Sequence, residues 1–406
     1  MTNQEAVKRN KFAEFLKSDG IRSVIASLIC VAGGLLVGFI VLFIMSLFAE
    51  NVSVSEAFTG AFVLICGPFT SGDIMFQLGN MLFKSMPLIM TGLSVALAFR
   101  TGLFNIGAAG QFLMGAMGTL LVALSIDTAV VPAWIVWILS LLTGVLCGAL
   151  WGAIPGFFKA KFNVNEVIVC IMTNWIAANV VSWVFSVTGD KFINVGETKM
   201  NFIRKTASNG VSTLRLGLDR LFTNSYLDIS IFIAIIIAIA LYVMLNKTTF
   251  GYELKACGFN KNASKYAGMN EKRNIILSMA IAGALAACGA AMWCLNGEQD
   301  FMWNTYLKLP AEGFNGIPVA LLASNNPIGV IFSAIFLNYL NVGGSNLAAK
   351  TSFNEYVSPL IVAVIIYFAG FSKLIKDLLG KKKRDRIPKI PDRLPDDKSV
   401  KGGGKS

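Results

Sequence analysis

Histidine is absent from the 406 residues, and charge is scarce, with Asp, Glu, Lys and Arg making only 14% of the chain. Without histidine there is no Ser–His or Cys–His nucleophile pair and no imidazole metal ligand. The seven cysteines contain no Cys-x-x-Cys pair. Cys30, Cys66, Cys147, Cys170, Cys288 and Cys294 lie in apolar stretches and Cys257 in a basic loop, a distribution unlike a disulfide framework or a zinc site. Carboxylates are equally sparse. Glu166, Glu298 and Asp300 are the tempting ones for acid–base work at a membrane edge, and they form no recognisable motif. The terminal Gly-Gly-Gly-Lys-Ser resembles part of a phosphate loop, but Ser399 stands where that motif needs its first glycine.

What is present is apolar. Hydrophobic residues make 55% of the chain, and mean hydropathy is +0.65. A soluble domain cannot hide that much apolar surface. Charge is excluded from long windows, among them 23–49, 101–126, 131–158, 274–297 and 313–349. A spanning helix needs roughly 20 apolar residues, and only helices satisfy their own backbone at such lengths in lipid. These windows predict an all-α, polytopic membrane protein with about ten transmembrane helices. The expected crossings are 23–48, 81–99, 106–126, 131–157, 166–187, 227–246, 274–294, 314–325, 327–345 and 356–371. The eighth is short enough to be broken or re-entrant, and 57–68 reads as interfacial.

An even number of crossings puts both termini on one side. Counting Lys and Arg on that side gives five in 1–22, Arg100, Lys159, Lys161, six in 247–273 and twelve in 373–406, which is 26 of 35. The excess marks that side as cytoplasmic. The net charge of +12 therefore flanks apolar helices and gives no reason to expect nucleic acid. The organisation expected is a cytoplasmic segment 1–22, a transmembrane domain 23–372 and a basic, disordered cytoplasmic tail 373–406. Lys8, Arg9, Lys11 and Lys17 precede an apolar run read as a retained helix rather than a signal peptide. The external loop 188–226 fits least well, since it carries Lys191, Lys199, Arg204, Lys205, Arg215 and Arg220.

Gly144, Gly148, Gly152 and Gly156, four apart, predict close approach of a second helix. Asn105 and Gln111 enter an apolar helix after the turn Arg100-Thr-Gly, and Asn174, Asn179 and Ser182 lie within the fifth crossing. An unpaired amide in hydrocarbon costs several kcal/mol. These amides must face protein or a water path, and the sequence leaves both open. Asn165 and Glu166 suit the start of the fifth crossing as cap and dipole partner. In 247–273, helix-like patches 252–257 and 261–267 flank Gly258, and the small residues Ala256, Gly258, Ala263, Ala267 and Gly268 suit docking into a partner's groove.

Gly251-Tyr-Glu-Leu-Lys-Ala-Cys-Gly-Phe-Asn260 and Ala263-Ser-Lys-Tyr-Ala-Gly268 resemble the coupling region of permeases in bacterial ABC importers of simple sugars, nucleosides and branched-chain amino acids. Leu93–Gln111, Asn165–Asn174, Gly313-Phe-Asn-Gly-Ile-Pro-Val-Ala-Leu-Leu322 and Asn326-Pro-Ile-Gly329 resemble the same class, so the resemblance covers about residues 80–370. The overall pattern is most similar to nucleoside-type members. The resemblance implies a type II importer permease in the bacterial cytoplasmic (inner) membrane. It would work with a second permease, identical or related, with two cytoplasmic ATPase subunits that bind ATP and magnesium, and with an external substrate-binding protein or lipoprotein. The chain itself would hold no cofactor and catalyse no reaction. Gly251, Glu253, Leu254, Lys255, Ala256, Gly258, Asn260, Ala263, Ala267 and Gly268 would form the ATPase-coupling element. Phe104, Asn105, Gln111, Asn174, Asn179 and Asn315 are candidates for the translocation path. The solute expected is small, neutral and polar. The alternatives are a sugar or branched-chain amino acid on the same machinery, or a stand-alone carrier or channel with a midplane site near 314–325.

Overall fold

A computed structural model describes residues 19–48, 52–188, 191–195, 199–304, 308–354 and 356–371, with 374–375 and 377–378. The expected N-terminal segment up to residue 18, and the tail apart from those last four positions, lie outside the described residues. Every expected crossing contains a helix. In chain order these are α1 (Asp19–Phe48), α2 (Val54–Cys66), α3 (Ile74–Arg100), α4 (Ala108–Ser125), α5 (Ala133–Phe162), α6 (Glu166–Thr188), α7 (Leu218–Leu221), α8 (Ser230–Lys247), α9 (Thr249–Phe259), α10 (Lys261–Tyr266), α11 (Glu271–Leu295), α12 (Ala311–Leu322), α13 (Pro327–Lys350) and α14 (Val357–Ala369). Among the described residues eight helices are long and apolar enough to cross a bilayer: α1, α3, α4, α5, α6, α8, α11 and α13. The chain is a polytopic, all-α membrane protein.

α12 and α14 have 12 and 13 residues, about 18 and 20 Å of helix against a hydrocarbon core of about 30 Å. α12 nevertheless joins two levels. Its chain comes from β3 (Phe301–Met302), which pairs with residues 202–203 of the 188–226 segment, and reaches Asn325, whose carbonyl accepts from Arg100 at the foot of α3. α3 starts at Ile74 rather than 81 because Asp73 caps it, its carboxylate accepting from Phe76 N at 3.0 Å. Gln77, Asn80 and Lys84 thereby join the helix. The stretch expected to be interfacial is α2 plus a 3₁₀ turn over Gly67–Thr70, and it packs on α1 and α13 through Ala57, Val63, Leu64 and Leu347.

The glycine stripe works as its spacing suggests. A Cβ on Gly148 would lie 2.7 Å from the carbonyl oxygen of Gly283 and collide with Ala287, and one on Gly283 would meet the Gly148 carbonyl. α5 and α11 thus touch backbone to backbone, and α4 closes the third side.

The 188–226 segment is more ordered than a long loop. β1 (Ile193–Asn194), β2 (Lys199–Ile203) and β3 form an antiparallel sheet in that order. Thr206 Oγ1 donates to Cys294 O at 3.0 Å, and Asn209 Nδ2 donates to Ala123 O at 2.7 Å, so the segment is fastened to the ends of α11 and α4. Two of its cations are also paired: Lys205 and Arg215 flank Glu298 at 3.7 and 3.6 Å. That pairing accounts for part of the basic charge on a segment expected to face outward.

Candidate functional site

Two clusters carry most of the residues singled out from sequence. The first surrounds the re-entry between α3 and α4. After Arg100 the chain turns through Gly102 and runs back beside α3, so that Asn105 faces Ser94. Asn105 Nδ2 donates to Ser94 Oγ at 3.0 Å and to Gln111 Oε1 at 2.8 Å, and Gln111 Nε2 donates back to Asn105 Oδ1 at 3.0 Å. Asn174 on α6 accepts from Gly110 N at 2.8 Å and donates to Ile106 O at 3.1 Å. It serves as an N-terminal partner for α4, a role no residue of α4 itself fills. Asn105, Gln111 and Asn174 are buried, whereas Asn179 is exposed on α6 and donates to Trp175 O. Phe104 stacks on Phe99 with centroids 5.0 Å apart, and Asn315 is half-buried on α12. The structure therefore pairs Asn105 with Gln111, sets Asn174 against the backbone at the start of the same helix, and leaves Asn179 and Asn315 apart from them.

Replacing Asn105 with leucine should strand both polar atoms of the Gln111 amide. A buried group left unpaired costs about 1–3 kcal/mol. The variant should melt several degrees below the parent in detergent, and an unchanged melting temperature would contradict this pairing.

The second cluster is the segment 247–273. Thr248 caps α9, its hydroxyl accepting from Gly251 N at 3.1 Å, and Asn260 caps α10 by accepting from Ala263 N at 3.0 Å. The break between the two helices is at Asn260, two residues beyond Gly258, which lies within the helix. Gly258 serves a different purpose. Its Cβ position lies 2.6 Å from Arg100 O and 2.9 Å from Gly102 N, so α9 rests directly on the α3–α4 turn. Gly102 has φ +71 and meets the Gly258 Cα in return. Leu254 and Cys257 are buried beneath, and Asn274 on α11 donates to Glu253 Oε2 at 3.1 Å. Ala263, Ala267 and Gly268 are exposed, Lys255 and Ala256 half-buried. Tyr252, Phe259 and Tyr266 project outward, the last two 92% and 93% exposed.

A buried carboxylate escaped the sequence reading. Asp228 lies two residues before α8 and accepts from Ser230 N at 2.9 Å, from the Ser230 hydroxyl and from Asn296 Nδ2 at 2.6 Å. Its cue in the sequence is a local Asp-x-Ser turn just before an apolar run. Burial pushes its pKa above the ordinary carboxylate value, against the hydrogen bonds and Arg215, which act downward. The folded protein holds that proton more tightly than the unfolded chain does. This group therefore favours the fold below its unfolded pKa, and the contribution is lost as pH rises through the folded value. The melting temperature of the parent minus that of Asp228→Asn should fall as pH is raised from about 4 toward neutrality. A flat difference would contradict the assignment.

Among the described residues no group of His, Cys, Asp and Glu could hold a metal. The arrangement offers packing, hydrogen bonding and exposed aromatic side chains on α9 and α10. Residues 77–369 match the family described as branched-chain amino acid transport system, permease component. The chain belongs to this permease family. By that description the permease is one part of a larger transport system and not an enzyme. Its similar relatives include the guanosine ABC transporter permease protein NupP of Bacillus subtilis, 38% identical over 77% of this chain and 86% of the relative. The nucleoside ABC transporter permease protein NupB of Lactococcus lactis is 34% identical over 89% and 94%. The glucose ABC transporter permease protein TsgB13 of Haloferax volcanii is 29% identical over 82% and 84%.

Proposed function

We propose that this permease forms the membrane passage of an ABC importer that takes up nucleosides. The observation that carries the substrate is the pair of relatives above 30% identity, both named for guanosine or nucleoside transport, against a glucose relative at lower identity. A network of neutral amides around Asn105, with no charged side chain in it, agrees with an uncharged polar solute. Two permeases, identical or related, would enclose the path. Two cytoplasmic ATPases would supply the energy, and an external binding protein would deliver the solute. Segment 247–273 would face the cytoplasm with both termini, and Tyr252, Phe259 and Tyr266 would enter the ATPase surface. Gly258 would pass the resulting push to the α3–α4 turn and so to Asn105 and Gln111.

The test is uptake in cells lacking their own nucleoside importers, given this permease with its ATPase and binding protein. Labelled guanosine should accumulate and labelled glucose should not, and ATPase-null partners should abolish the signal. Glucose uptake without guanosine uptake would refute the substrate. Uptake by the permease alone, driven by an ion gradient, would refute the machinery. For sidedness, an impermeant maleimide added outside should miss Phe259→Cys and reach it in inverted vesicles.

A further inference from the structure

The cytoplasmic ends of α3, α9 and α12 do not close on one another. A cavity of about 580 Å³ opens between them, lined by Phe99, Arg100, Lys255, Phe259 and Asn325, with Asp377 the carboxylate among its described lining residues. Arg100 is held at its edge, Nε donating to Asn325 O at 3.0 Å. Lys255 Nζ lies 3.4 Å from Asn246 Oδ1. Asn325 Oδ1 is buried and has no hydrogen-bond partner among the described residues. Ser324 and Asn325 both have left-handed φ, 51 and 58, and this turn stops α12 after 12 residues.

α12 and α14 lie side by side and touch only sparsely. An apolar trough of about 370 Å³ remains between them, lined by Ile317, Pro318, Ile366, Tyr367 and Phe371. Leu321 and Gly370 line both the trough and the cavity, so the two are continuous. The combined shape has an end where Arg100 and Lys255 outnumber the one described carboxylate, Asp377, an orphaned acceptor beside it and an apolar extension along two helices. A guanidinium and an ammonium together favour a phosphate monoanion. The unpaired oxygen calls for a donor. The trough calls for hydrocarbon. A free phosphate has no hydrocarbon for the trough, and a nucleoside has no charge for the cationic end.

We propose that the cavity and trough together hold one anionic phospholipid of the cytoplasmic leaflet with a hydroxylated head group. Its phosphate lies between Arg100 and Lys255, its head-group hydroxyl donates to Asn325 Oδ1, and one acyl chain follows the trough. The cytoplasmic placement rests on the orientation proposed above. Anionic lipids concentrate in that leaflet and are recognised by basic pockets between helices.

The test is lipid retention by the purified permease in mild detergent, read by native mass spectrometry. The probes are phosphatidylglycerol, phosphatidylcholine, phosphatidic acid and inorganic phosphate. Phosphatidylglycerol should be retained at a stoichiometry of one and about tenfold more strongly than phosphatidylcholine. Lys255→Gln and Arg100→Gln should each remove most of that preference. Asn325→Leu should erase the advantage of phosphatidylglycerol over phosphatidic acid while leaving the latter bound. Ile317→Trp, which fills the trough without touching the cations, should weaken both lipids. Equal retention of phosphatidylglycerol and phosphatidylcholine would overturn the proposal, as would displacement by millimolar phosphate or by guanosine. Because Arg100 also anchors the Asn325 loop, Lys255→Gln and Ile317→Trp keep the test decisive if Arg100→Gln misfolds. Retention in detergent does not depend on sidedness. Maleimide reaching Phe259→Cys from outside would refute the orientation while leaving lipid selectivity to be judged by itself.

Discussion

The variant Gly148→Leu should leave little folded permease. The new Cβ would lie 2.7 Å from the carbonyl oxygen of Gly283, and the rest of the side chain would have to occupy space held by Ala287. Overpacking a core typically costs about 1–3 kcal/mol when side chains can shift. Here the obstruction is the backbone of a second helix. Relief requires α5 and α11 to separate along their whole glycine seam, which releases α4 as well. The cost should exceed about 3 kcal/mol, a large share of a typical stability of about 5–15 kcal/mol. Fluorescence-detected size exclusion should show loss of the monodisperse peak. Leu146→Ala, on the outward face of the same helix, should keep it. A Gly148→Leu protein that eluted as the parent and melted within about 2 °C of it would mean that the seam is far looser than described here.

The variant Gly258→Leu should fold and yet transport at least tenfold less. Its Cβ would press on Arg100 O and Gly102 N, so α9 must tilt away from the turn between α3 and α4. The caps at Thr248 and Asn260 and the buried Leu254 hold α9 and α10 together as a unit. The displacement should therefore be mostly rigid. A tenfold loss corresponds to about 1.4 kcal/mol of coupling, well within what one lost backbone contact supplies. The decisive readout is the ratio of guanosine taken up to ATP hydrolysed by the assembled complex. A fall in that ratio, with complex assembly and melting temperature near parental values, is the expected result. An unchanged ratio would remove Gly258 from the transmission route, and loss of assembly would assign it to docking instead.

Much of this architecture could be read from residue order. Charge-free windows located each crossing, because hydrocarbon excludes charge whatever the neighbours are. The four-residue glycine spacing announces a close helix contact, while its partners, Gly283 and Ala287, are set by the fold. Helix starts were less legible. Asp73 is a local cap whose signal is masked when charge is counted as a mark of loops. The amides show where sequence stops. Asn105, Gln111 and Asn174 are equally plausible as path or packing residues from their spacing. Their partners are the Ser94 hydroxyl and the Ile106 carbonyl, groups set by a re-entrant turn with no periodic signature. In 247–273 the small residues were read as one docking surface. The helix phase divides them: Gly258 faces inward against backbone and Ala256 is half-buried, while Ala263, Ala267 and Gly268 face outward with Phe259 and Tyr266. Aromatic exposure cannot be deduced from composition, since Phe259 and Tyr266 would be equally at home in the bilayer.

The cysteines have a practical consequence. Cys30, Cys170, Cys257, Cys288 and Cys294 are buried, while Cys66 and Cys147 are half-buried within apolar helices. The native chain should therefore be nearly inert to water-borne thiol reagents in its folded state. Reporter thiols placed on α9, α10 or the β1–β3 sheet would be read against a dark background, without first stripping out seven native residues. Conversely, the sudden appearance of native thiol reactivity would be a built-in alarm for helix separation.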